Sequence, residues 1–202
     1  MPSTTDLHGN APDKGHAALL LIDVINDLEW PGGELIVDRA LRMAEKIATL
    51  KERVRAAGLP VVYVNDNFGR WQSDFNAQVE HCLNDGVRGE PLARRLLPAR
   101  EDYFVLKPKH SGFYSTTLEL LLRHLEPHTL ILTGIAGNNC VLFTANDAYM
   151  RDYRLFVPRD CVASNTEEEN EQALAQMASV LKADVRPAAA LDLAALRGSS
   201  SA

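Results

Sequence analysis

Three side chains far apart along the chain have the types that nucleophilic hydrolysis needs: the carboxylate of Asp23, the ammonium of Lys107 and the thiol of Cys140. A thiol attacks a carbonyl only after losing its proton, and a carboxylate within hydrogen-bond reach can take it. A carboxylate in an apolar pocket tends to hold its own proton unless a neighbouring cation keeps it ionised, which a lysine can do. Together the three would attack a small carbonyl compound and pass through a thioester. Singly, each has an ordinary explanation: Asp23 as a loop cap, Lys107 as a solvated charge, Cys140 as a small buried hydrophobe. Only a shared place in the fold separates the two readings.

The elements that would position them start with the segment around Cys140. Residues 129–135 (TLILTGI) form an apolar run that reads as a buried strand. Gly134, Gly137 and the Asn138-Asn139 pair break that pattern, and Val141, Leu142, Ala145, Ala148 and Tyr149 then recur at helical spacing. The unit is strand, sharp turn, helix, with the cysteine at or near the first helical turn. Unpaired N–H groups there carry about half a positive charge, which favours a thiolate and can hold an oxyanion.

Residues 17–23 (AALLLID) read as a central parallel strand ending at the acid, and 59–64 as a second. Residues 102–106 read as a third, running into Lys107, with 154–157 as a fifth and 183–185 as a short sixth. Helical spacing covers 34–57, closed by Gly58, and more weakly 75–83. It recurs over 117–125, capped by Ser115 or Thr116, and over 167–181, capped by Thr166. Residues 160–165 are expected to form a loop. Strands alternating with helices at this spacing require a parallel sheet covered on both faces, a Rossmann-like three-layer α/β/α domain. Ligands of such sheets bind beyond the carboxyl ends of the strands, the edge that Asp23, Lys107 and Cys140 share. Phe68, Trp71 and Phe113 fall in loops after strands two and three, where aromatic rings can wall a pocket.

A chain of 202 residues with 46% hydrophobic content suffices for one domain with a full core. The expected organisation is a flexible arm over 1–15, the domain over 16–190 and a frayed tail over 191–202. A net charge of -6 argues against broad binding to nucleic acid or anionic membranes. No apolar run is long enough to span a bilayer. Cys82, Cys140 and Cys161 show no C-x-x-C spacing, which suggests a reducing compartment and a cytoplasmic location. His81, His110, His124 and His128 lack metal-ligand spacing, and neither metal nor cofactor is expected.

The stretches ALLLIDVINDLEWPGGE, VVYVNDNFGRW, VLKPKHSGFYSTTLELLLR and LTGIAGNNCVLFTANDAYMRDY, in this order, resemble the isochorismatase-like cysteine hydrolases. That superfamily includes nicotinamidases and carbamoylsarcosine amidase-type enzymes. The resemblance spans residues 17–181 and implies a six-stranded parallel sheet with an Asp-Lys-Cys triad at Asp23, Lys107 and Cys140. It also implies a cis peptide at Ile135-Ala136 and an oxyanion hole built from the backbone N–H groups of Ala136 and Cys140. His110 and Asn139 fall in the implied substrate pocket beside Phe68, Trp71 and Phe113. A homodimer or homotetramer acting on a small molecule is the family habit.

Departures from the family pattern narrow the chemistry. Ile25 stands where many relatives have Gln, Leu28 where they have Phe, Gly137 where they have Thr and His110 where they have Tyr. Asp66-Asn67-Phe68 lacks the histidine of the nicotinamidase D-x-H metal motif, which argues against a metal and against nicotinamide. True isochorismatases lack the cysteine, so Cys140 argues against vinyl-ether hydrolysis. The expectation is a metal-independent cysteine hydrolase cleaving a C–N bond in a small amide or ureide-like molecule. The alternative is a relative that has lost catalysis and serves as a binding or scaffold protein. A signalling receiver fits poorly, because strand one ends in a single acid and strand three in a lysine.

Overall fold

The computed structural model describes residues 16–69 and 74–196. The expected arm over 1–15, Trp71 and residues 197–202 lie outside the described residues.

Every side chain of the first strand, β1 (Ala17–Ile22), is buried. Ala17, Leu19 and Leu21 join one apolar cluster, while Ala18, Leu20 and Ile22 join the other. The period of two in a strand thus feeds two cores, which is why AALLLI is apolar throughout instead of alternating. β1 pairs in parallel with β2 (Val61–Asp66) and β4 (Thr129–Ile135). Beyond them lie β3 (Tyr103–Lys107) and β5 (Arg154–Phe156), giving the order β3-β2-β1-β4-β5.

Helices cover both faces. α1 (Val37–Ala56), α2 (Phe75–Asn84) and α3 (Glu90–Arg95) contribute to one core. α4 (Leu118–Leu125), α5 (Leu142–Tyr149) and α6 (Glu167–Ser179) contribute to the other. This is the expected three-layer α/β/α sheet with six parallel strands.

The sixth strand is not where periodicity placed it. β6 is Val162–Ala163, inside the expected loop, and pairs with Gly134 and Ile135 of β4. The reason lies in β4. β5 pairs only with Thr129, Leu130 and Ile131 along one edge, and β6 takes up the remainder after the short turn Arg159–Cys161. Two residues carry no readable period. Residues 183–185 make a single bridge, from Asp184 to Phe156 at the end of β5.

Two further boundaries move. α3 lies in a Gly- and Pro-punctuated stretch with no strong helical signal, and Pro91 sits in its first turn, where a missing N–H does no harm. The described part of the tail expected to fray from residue 191 instead packs. Leu191 and Leu193 are buried, and the Arg53 guanidinium donates to the carbonyls of Ala188 and Leu191 at 2.7 Å each.

Candidate active site

Strand ends bring the three reactive side chains together. Asp23 follows β1 directly, Lys107 is the last residue of β3, and Cys140 sits in a π-helical turn (Gly137–Val141) between β4 and α5. Gly134, with φ at +114°, lets β4 close against β1 at this end, since a Cβ there would stand 2.0 Å from the Ile22 carbonyl oxygen. The Ile135–Ala136 peptide that leads into the turn is cis. The turn itself is pinned from α6: the Asn138 N–H donates to Ser164 Oγ at 3.1 Å, and Ser164 Oγ donates to Asn170 Oδ1 at 3.1 Å. Gly137 is confined by the same groups, since a Cβ on it would lie 2.5 Å from Asn170 Oδ1 and 2.7 Å from Val162 Cγ1.

Lys107 is the hub. Its Nζ lies 2.9 Å from Asp23 Oδ2, 3.3 Å from Asp66 Oδ2 and 3.5 Å from Cys140 Sγ, and its side chain is wholly buried. The other oxygen of Asp23, Oδ1, accepts the Asp66 backbone N–H at 2.6 Å. Asp23 has φ at +51°, a left-handed conformation that acidic residues tolerate better than bulky ones. Asp66 extends the cluster, and its Oδ1 accepts the Phe68 N–H at 2.7 Å, which shapes the loop after β2.

Burial raises the Asp23 carboxyl above its ordinary range, and the adjacent Lys107 ammonium only partly offsets this. For Lys107 burial acts downward, yet the charges of Asp23, Cys140 and Asp66 hold it above its ordinary value. Burial and the Asp23 carboxylate push the Cys140 thiol up to about 12. The thiolate expected from a helix start is therefore not the resting state, because desolvation and a nearby carboxylate outweigh one ammonium. A thiol that shares the Lys107 ammonium with a carboxylate more basic than usual is set up to pass its proton there during attack.

A cleft of about 590 Å³ opens over the sulfur. Three of the five expected wall residues line it: Phe68, His110 and Asn139. His110 Nδ1 stands 4.0 Å from Sγ, and its ring packs on Phe143 with centroids 5.3 Å apart. Trp71 lies outside the described residues. Phe113 corrects the expectation, because it is buried in the core and not in the cleft. Its loop is drawn inward where the Gly112 N–H donates to Thr144 Oγ1 at 3.0 Å, and Arg151 covers the ring at 4.7 Å. Ile25 and Leu28 likewise face the core.

Asp23, Asn26, Trp30, Asp66, Ile135, Ala136, Asn138, Cys140, Asn165 and Glu169 complete the lining. Asp66 was recoverable as a third acid on the same sheet edge. Asn165, just before α6, and Glu169, in its first turn, carry no local sign of the cleft. Among the described residues, no group of three or more His, Cys, Asp or Glu side chains is disposed to hold a metal ion. Cys161 is buried in the opposite core, where desolvation pushes its thiol up.

Comparison with known proteins gives a consistent picture. The model of the Isochorismatase domain family matches residues 17–188. YaaI, an uncharacterized isochorismatase family protein of Bacillus subtilis (strain 168), is 45% identical over 172 residues, covering 85% of this chain and 94% of that protein. Ureidoacrylate amidohydrolase RutB of Methylorubrum extorquens is 30% identical over 169 residues, covering 70% of this chain and 67% of that protein. The crystal structure of N-carbamoylsarcosine amidase from Thermoplasma acidophilum matches with a TM-score of 0.68 at 30% identity, covering 87% of this chain and 98% of that one.

Proposed function

This chain belongs to the isochorismatase family and is an amidohydrolase of that superfamily, and on that premise we propose that it cleaves a small amide or ureide through a Cys140 thioester. Asp23 takes the Sγ proton as sulfur bonds to the carbonyl carbon. The displaced electron pair moves to oxygen, held by the backbone N–H groups of Ala136 and Cys140. When the C–N bond breaks, Asp23 returns its proton to the leaving nitrogen, and ammonia or an amine departs. Water, activated by Asp23, then attacks the thioester, and sulfur recovers its proton. Lys107 stays charged throughout, keeping Asp23 ionised before attack and steadying the sulfur anion.

The observation that carries this reading is the position of one buried ammonium, 2.9 Å from the acid and 3.5 Å from the sulfur, beneath a cleft sized for a small molecule. A panel of amides, ureides and carbamoyl compounds scored for released ammonia is the direct test. Cys140→Ala should abolish turnover of any substrate found, and mass spectrometry of quenched wild-type enzyme should show an acyl group on Cys140. Full turnover in Cys140→Ala would overturn the proposal. The same reading takes the protein as cytoplasmic and homo-oligomeric, with no nucleic-acid or membrane partner; fractionation of the native host reads the location. Among the described residues no helix is long and apolar enough to cross a membrane.

A further inference from the structure

The charges around the cleft are unbalanced. Three carboxylates line it, those of Asp23, Asp66 and Glu169, and among the described residues no lysine or arginine does. Among the described residues the one ammonium in contact with the cluster, Lys107, is buried and already paired with Asp23 and Asp66. One cation against three carboxylates leaves two negative charges uncompensated. Counting His110 as a cation still leaves one. Moving the Cys140 proton to Asp23 does not alter the sum, because the negative charge passes to sulfur.

Glu169 sets the sign away from the sulfur. It is the third residue of α6 and closes a capping box with Thr166. The Thr166 N–H and hydroxyl both donate to Glu169 Oε2, at 3.1 and 3.0 Å, while the Glu169 N–H donates to Thr166 Oγ1 at 3.2 Å. Oε1 has no partner among the described residues. The carboxylate is therefore held by a helix start and not neutralised by a cation. Trp30 lines the same cleft, and an indole face suits a positively charged group.

We propose that the cleft selects neutral and cationic amides and turns away those bearing a carboxylate, with Glu169 as the specificity-determining residue. The inference rests on the amidohydrolase reading for what is bound, yet it can be tested without turnover. Iodoacetamide is neutral, iodoacetate anionic and 2-bromoethylammonium cationic, and all three alkylate a thiol. Their rates at Cys140, followed by peptide mass spectrometry in low salt, are divided by their rates with glutathione. After that correction, iodoacetate should fall at least about tenfold below iodoacetamide, as repulsion by two fixed charges at close range requires, while 2-bromoethylammonium should not. Glu169→Gln keeps a residue that can complete the capping box and should shrink the iodoacetate penalty by about threefold or more.

Equal corrected rates for iodoacetate and iodoacetamide would overturn the proposal. So would an unchanged penalty in Glu169→Gln with wild-type helix content and melting temperature. A corrected rate for iodoacetate above that for iodoacetamide would overturn it as well. The two readings fail separately. Hydrolysis of carboxylate-bearing amides as fast as neutral ones sinks the charge filter and leaves the hydrolase. The predicted alkylation bias in a protein that hydrolyses no amide upholds the filter and sinks the hydrolase.

Discussion

At Cys140 the resting sulfur keeps its proton, since burial and the Asp23 carboxylate push the thiol up to about 12. The reactive anion is then a small fraction at neutral pH, and that fraction grows with pH. Alkylation by neutral iodoacetamide should climb about tenfold per pH unit between roughly pH 7 and 10, without levelling. A plateau near neutrality would mean a thiolate at rest and no need for a base. Turnover should behave differently, because it uses Asp23 as the proton acceptor. Asp23 is raised above its ordinary range, so activity should be lost on the acid side as pH falls through that raised value. Its residue type and strand-end position made Asp23 legible as an acid from sequence. Its basicity was not, because that depends on how much water the fold removes. Phe113 shows the same limit: a loop aromatic can face pocket or core, and the bond from Gly112 N to Thr144 Oγ1 decided for the core.

Among the elements, the turn carrying Cys140 depends on α6 as much as on its own residues. Ser164 accepts the Asn138 N–H and donates in turn to Asn170, and both fill the space beside Gly137. A threonine at 137, the residue common in the resembled family, would overlap Asn170 and Val162. Gly137→Thr should cost about 1–3 kcal/mol as an overpacked site, read from urea melts, and should slow Cys140 alkylation by shifting the turn. An unchanged midpoint and rate would show that α6 yields freely. Long periodic elements such as α1 and β1 were readable because many residues repeat one spacing. β6 and α3 were not, since two residues show no period and a helix of six gives little more than one turn.

The whole molecule places β1 between β2 and β4, which is what brings the ends of β1, β3 and β4 to one edge. Its surface also bears on assembly. Leu120, Phe143 and Met150, on or next to α4 and α5, are 65%, 51% and 69% exposed, an apolar burden that a second subunit would relieve. Phe143 packs on His110 at the cleft, so assembly over it would also wall the site. Light scattering should return a multiple of the 22.3 kDa subunit mass, and a single-subunit mass would end the oligomer reading.

By itself the sequence determined the strand-helix alternation, the edge where ligands bind and the three side chains at strand ends, because each follows from local spacing and residue type. Tertiary structure alone decided that Leu191 and Leu193 belong to the core, that burial raises the Cys140 thiol and that Glu169 stands in the cleft with Asp66. Those outcomes depend on desolvation and on contacts between segments far apart in the chain, and no local pattern encodes either.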